Sequence, residues 1–108
     1  DHVIGVGGLA DLLPSIVSYA ETSNPGELKI LYLDNNSRGR GLGAKFLTFL
    51  EDEATKRNYS ELLVRSAEQY RETAFEFYKK MGYTDLGQIH NSLGKPMKLF
   101  KKVLKNLV

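Results

Sequence analysis

Residues 35–50 read NNSRGRGLGAKFLTFL, placing three glycines and two arginines between an apolar run and a helix-like run. Glycine adds no side chain to pack and raises the entropy lost on folding, so such a cluster needs a reason. The reason that suits these types and this spacing is an anion held against the main chain. A strand that stops at a glycine turn and opens a helix leaves the first helical amides without intrahelical partners. The helix dipole adds about half a positive charge there. Gly39, Gly41 and Gly43 would let a pyrophosphate approach the backbone, and Arg38 and Arg40 can add charge-assisted hydrogen bonds. No Gly-Lys-Ser/Thr follows, so this is not a Walker loop. A glycine turn with solvated arginines is the competing reading.

The elements that must hold this loop follow from periodicity. Val3–Leu9 reads as a strand with glycines, and Leu28–Leu33 as a second strand. Between them, Leu12, Leu13, Ile16 and Val17 could line a helix that tolerates Pro14 only in its first turn, and residues 23–26 (SNPG) are turn chemistry. From Leu42 the period becomes helical: Leu42, Phe46, Leu47, Phe49, Leu50 and Ala54 are expected on one buried face, with residues 56–60 (KRNYS) as the stop. Leu62–Val64 is a short apolar strand. Thr73–Met81 reads as a second helix with Ala74, Phe75, Tyr78 and Met81 on one side and Gly82 at its C-terminal cap. Tyr83–Ile89 and Met97–Leu104 read as two closing strands. The order gives an α/β class, one domain over residues 1–108.

Composition narrows the chemistry. With 42% hydrophobic and 26% charged residues the chain is globular rather than disordered, and no apolar stretch reaches the roughly 18 residues of a membrane span. The absence of cysteine excludes disulfides, thiolate metal sites and cysteine nucleophiles, and agrees with a cytoplasmic setting. His2 and His90 stand apart at the terminus and in a turn, so no metal site is expected. Residues 1–37 hold five acids against Lys29 alone, whereas residues 38–108 hold 14 Lys and Arg against eight acids. An anion is drawn to the second part.

Arg38-Gly39-Arg40-Gly41-Leu42-Gly43 resembles the Arg/Gln-x-x-Gly-x-Gly/Ala motif of the GCN5-related N-acetyltransferase (GNAT) superfamily. Like that motif it follows a strand and opens an amphipathic helix. Residues 74–83 (AFEFYKKMGY) look like the family's second signature, a helical tyrosine before a Gly-aromatic pair, and KPMKLFKKVL resembles its last strand. The resemblance implies a mixed, mainly antiparallel central sheet with flanking helices. It implies too that the family's N-terminal strand and helices lie outside these residues, or that this is a minimal version.

By the same resemblance, acetyl-CoA is the expected co-substrate. Its pyrophosphate falls to Arg38, Gly39, Arg40, Gly41, Leu42, Gly43 and Ala44, and its pantetheine arm to the backbone of Leu31, Tyr32 and Leu33. The amide near Leu33 would polarise the thioester carbonyl. Tyr78 takes the family's acid position, although its spacing alone suits a core aromatic. With an ordinary pKa of about 10 it could protonate a departing thiolate. Glu27, six residues before Leu33, matches a glutamate base of some members, or is a solvated acid at a strand start. Where many relatives have a pantetheine-binding asparagine this chain has Arg71, which could reach a CoA phosphate or face water; where others place a second glutamate it has Ser66. The implied activity is acetyl transfer to a primary amine of a small molecule or peptide, with oligomeric state open, a homodimer included.

Three alternatives compete. Gly5, Gly7 and Ala10 fit Gly-x-Gly-x-x-Gly/Ala with Asp34 ending the next strand, the layout of a dinucleotide-binding βαβ unit in an oxidoreductase or sensor. A non-catalytic CoA-binding domain would share the loop without the chemistry. Lys98, Lys101, Lys102 and Lys105 could serve a polyanion, but no nucleic-acid signature accompanies them, and neither a nucleic acid nor a membrane is an expected partner.

Overall fold

The computed structural model describes residues 5–33, 42–71 and 73–104. Five strands form one sheet: β1 (Gly5–Asp11), β2 (Pro25–Leu33), β3 (Glu61–Ala67), β4 (Thr84–His90) and β5 (Pro96–Val103), in the order β1-β2-β3-β5-β4. Every neighbouring pair is antiparallel except β2 with β3. Helix α1 (Leu42–Lys56) links these two parallel strands, as a parallel connection requires, and α2 (Ala74–Lys80) links β3 to β4.

The antiparallel pairing of β1 with β2 removes the dinucleotide-binding alternative, which needs two parallel strands across a helix. Residues 10–24 hold no α-helix; Pro14–Tyr19 form a 3₁₀ turn with Pro14 in its first turn, where its missing N–H is harmless.

Alternating side chains give the sheet two faces. Leu28, Leu62, Val64 and Phe100 pack with Leu47, Leu50 and Ala54 of α1 and Phe75 and Tyr78 of α2. Leu63 and Leu99 point the other way, where Ile16 of the 3₁₀ turn covers them. Phe49 departs from expectation: it is 58% exposed. At 3.6 residues per turn it lies roughly 120° around α1 from the centre of the buried face, too far to join it.

Both helices stop where the sequence supplies a left-handed residue. Asn58 (φ 67°) lets the Tyr59 amide return to the Ala54 carbonyl at 3.0 Å. Gly82 (φ 92°) does the same after α2, where the Tyr83 amide reaches the Tyr78 carbonyl at 2.9 Å.

Two polar clusters fix the elements against one another. The Glu51 carboxylate accepts from Tyr83 Oη (2.8 Å) and Lys102 Nζ (3.1 Å), and Lys102 also donates to the Met81 carbonyl at 2.9 Å. The buried Glu61 Oε1 accepts from the Glu21 and Thr22 amides and the Thr22 hydroxyl at 2.6–2.8 Å. Beside it, the Ser60 amide donates to the Asn24 carbonyl at 2.8 Å. Residues 21–24 are thereby fastened to the start of β3.

Candidate active site

The parallel strands β2 and β3 stay together for three residue pairs only: Pro25 with Glu61, Gly26 with Leu62 and Glu27 with Leu63. Beyond that point β2 runs six residues further and β3 four, with no pairing between them among the described residues. Among the described residues, no strand pairs with Leu28–Leu33 on that side. On its other side β2 passes Tyr32 against Val6 and Ile30 against Gly7, so Leu31 is the extra residue of a bulge. Leu31, Tyr32 and Leu33 thus form the far stretch of the parted strand. Arg38, Gly39, Arg40 and Gly41 lie outside the described residues. Leu42 opens α1, with Gly43 buried and Ala44 half-buried in its first turn.

Glu27 sits where the strands part. The expectation of a solvated acid fails: the residue is 2% exposed. Arg65 Nε, two residues along β3 from the last pair, donates to Glu27 Oε2 at 2.8 Å. Glu27 Oε1 is buried and accepts no hydrogen bond; Lys29 Nζ stands 3.8 Å away, an ion pair too long for a hydrogen bond.

Tyr78 lies in the helix-side core, 5% exposed, with ring centroids 5.4 Å from Phe100 and 5.6 Å from Tyr83. Burial pushes its pKa up to about 12. The phenol is therefore a weaker acid than its type suggests, and it holds its proton through the whole neutral range. Tyr83 shifts the same way, mainly by burial and then by the Glu51 charge.

The two shifts make alkali destabilising. An unfolded phenol ionises near pH 10 while native Tyr78 keeps its proton to about 12, so above pH 10 the unfolded state binds fewer protons and gains. Stability should be intact below pH 10 and fall by up to about 1.4 kcal/mol per pH unit for each such tyrosine as pH rises toward 12. Urea midpoints at pH 9, 10 and 11 test this; a constant midpoint contradicts it.

Arg71 lies just before α2, paired with Glu68 and with its guanidinium 5.9 Å from the Phe75 ring centroid. Its side chain is largely exposed. Ser66 is buried in β3. Glu27 alternates with Leu28, so it leaves the sheet on the face opposite Tyr78.

Sequence reasoning missed Arg65 and the Leu31 bulge. The signal for Arg65 was a cation directly after the apolar run LLV, on the Leu63 side of its alternation. Nothing local announces the bulge.

The chain resembles known proteins in sequence and in fold. The acetyltransferase (GNAT) domain family matches residues 10–104. IAA acetyltransferase of Azospirillum brasilense is 32% identical over 75 residues, covering 69% of this chain and 48% of that protein. The chain thus spans about half the length of this curated relative. Ard1 from Thermoplasma volcanium superposes with a TM-score of 0.71 at 12% identity, over 94% of this chain and 64% of that one. The structure of yncA from Salmonella typhimurium, solved with its cofactor acetyl-CoA, gives 0.69 at 19% identity, over 99% and 61%. A domain match over nearly the whole chain, with the same fold in both structures, places this sequence: it belongs to the GNAT acetyltransferase family.

Proposed function

We propose that this domain transfers an acetyl group from acetyl-CoA to a primary amine of a small molecule or peptide. The observation that carries the reading is the parting of β2 and β3 after Glu27. It leaves an unpaired strand edge that an extended, amide-bearing arm such as pantetheine can complete as an added strand. The same strand leads toward α1, whose first amides, together with the Arg38–Ala44 loop, suit a pyrophosphate. Leu31, Tyr32 and Leu33 hold the arm through backbone groups, and the amide near Leu33 polarises the thioester carbonyl.

An amine arrives as ammonium and gives one proton to Glu27. Its nitrogen then bonds the carbonyl carbon and sheds a second proton to water. The C–S bonding pair leaves on sulfur and takes the Tyr78 proton, which the phenolate regains from solvent. Arg71 faces solvent and is available to a CoA phosphate once it leaves Glu68.

Acetyl-CoA at 100 times its Kd should stabilise the protein by about 2.7 kcal/mol, roughly 12 °C in Tm for a domain of this size. Gly41→Glu should remove that shift by placing a carboxylate where the phosphates bind. An unchanged Tm at millimolar acetyl-CoA and CoA would defeat the proposal.

A further inference from the structure

We infer that Arg65 is a positioning residue for acetyl transfer: it binds Glu27 through Oε2 alone and leaves Oε1 as the atom that takes the acceptor's proton. The inference rests on the reading of Glu27 as base given above.

A carboxylate withdrawn from water is stable only if its charge and lone pairs are met, and a buried oxygen without a partner is uncommon in folded proteins. Glu27 satisfies the condition by halves. Oε2 has a short charge-assisted bond from Arg65 Nε, whereas Oε1 is enclosed and bonds to nothing. Among the described residues, Lys29, on the same strand and face, is the other charged group paired with the carboxylate, 3.8 Å from Oε1.

The location gives the asymmetry meaning. Glu27 faces Leu63 in the last residue pair before the strands separate, and Arg65 lies two residues beyond on β3. The guanidinium therefore reaches across the start of the cleft, from the strand opposite the proposed thioester arm. Held from that side, the carboxylate cannot rotate to present either oxygen at random. An ammonium entering the cleft supplies the missing donor to Oε1, and the orphaned acceptor becomes the base.

Arginine suits this task better than lysine because its Nε–H lies in a fixed plane with the rest of the fork. Glu61, which only fastens residues 21–24, also leaves one oxygen (Oε2) without a partner, so the orphaned atom of Glu27 is informative through its place at the parting of the strands.

The test uses the whole chain with acetyl-CoA and four amines: spermidine, kanamycin, L-phenylalanine and triglycine. CoA release is followed at saturating co-substrate. Arg65→Gln should lower kcat about 100-fold while acetyl-CoA affinity, measured by calorimetry, changes less than threefold. Arg65→Lys, which keeps the charge without the planar fork, should fall between Arg65→Gln and wild type. The double variant Glu27→Gln/Arg65→Gln should be no slower than Glu27→Gln alone, because both changes remove one unit. Separately, the Arg65 Nε–H resonance should be protected from exchange in the wild type and lose that protection in Glu27→Gln, a readout independent of turnover.

Multiplicative losses in the double variant, or full kcat in Arg65→Gln with a lowered Tm, would reduce Arg65 to a structural role and overturn the inference. Acetyl-CoA binding without turnover of any of the four amines would remove Glu27 as base, and the inference with it. Absence of acetyl-CoA binding would instead refute the functional reading itself.

Discussion

Replacing Tyr78 by Phe should lower kcat by about 100- to 1000-fold and leave the affinity for acetyl-CoA nearly unchanged. The substitution removes one oxygen from a ring that is otherwise fully engaged, against Phe100 at 5.4 Å and Tyr83 at 5.6 Å between centroids. Packing is therefore kept, and Tm should hold or rise slightly because a desolvated hydroxyl disappears. What goes is the proton offered to sulfur, and general acid catalysis of this kind contributes about 10²–10⁴-fold. The pKa of about 12 gives the reading a second handle. Tyr78 remains the protonated, competent form up to roughly pH 11, so loss of its proton should produce no alkaline fall in kcat below that point. Steady-state CoA release with calorimetric binding decides it: kcat within twofold of wild type would leave Tyr78 a core aromatic and nothing more.

Gly26→Ala should destabilise the domain by about 3 kcal/mol, at the upper end of what inserting a methyl into a packed site costs. Gly26 lies between strand partners on both sides, Asp11 in β1 and Leu62 in β3, so its backbone has little room to move. A Cβ there would sit 2.6 Å from Tyr59 Cδ1. The ring cannot swing clear easily, because its hydroxyl is tied to Asp11 Oδ1 at 2.9 Å. Chemical denaturation measures the loss, and the double variant Gly26→Ala/Tyr59→Ala should be less destabilised than the sum of the two single changes. A Gly26→Ala protein within 0.5 kcal/mol of wild type, roughly the spread of a neutral surface change, would show that the ring relaxes freely.

The elements were legible because their periods differ. Leu47, Leu50 and Ala54 recur at helical spacing, the short strands alternate or run apolar, and Gly82 stands where α2 needs a left-handed residue. By the same period Tyr78 was legible only as a core aromatic; its signature with Gly82 and Tyr83 came from the resemblance to a family. Phe49 was misassigned because a spacing of three or four from one apolar neighbour does not guarantee the same face as the rest. Glu27 shows the deeper limit. Local sequence presented an acid just after a turn, which reads as solvated; its burial depends on Arg65, 38 residues away, and on a parallel pairing that no local pattern encodes. The bulge at Leu31 was invisible for a similar reason, since it exists only in register with β1. The pairing strength of a carboxylate and the mismatch of two strands are properties of contacts, and contacts between distant residues leave little trace in either neighbourhood.

The grip of Glu61 on residues 21 and 22 has a consequence for how this scaffold can vary. The nine residues between Asp11 and Glu21 could gain or lose members on either side of Ile16, which must stay over Leu63 and Leu99, with the change absorbed before the clasp. The few between Thr22 and Glu27 have no such slack: adding one there would carry the acid past its arginine and turn it to the wrong side of the sheet. A single carboxylate thus works as a reading frame, separating a stretch open to diversification from one whose length is fixed.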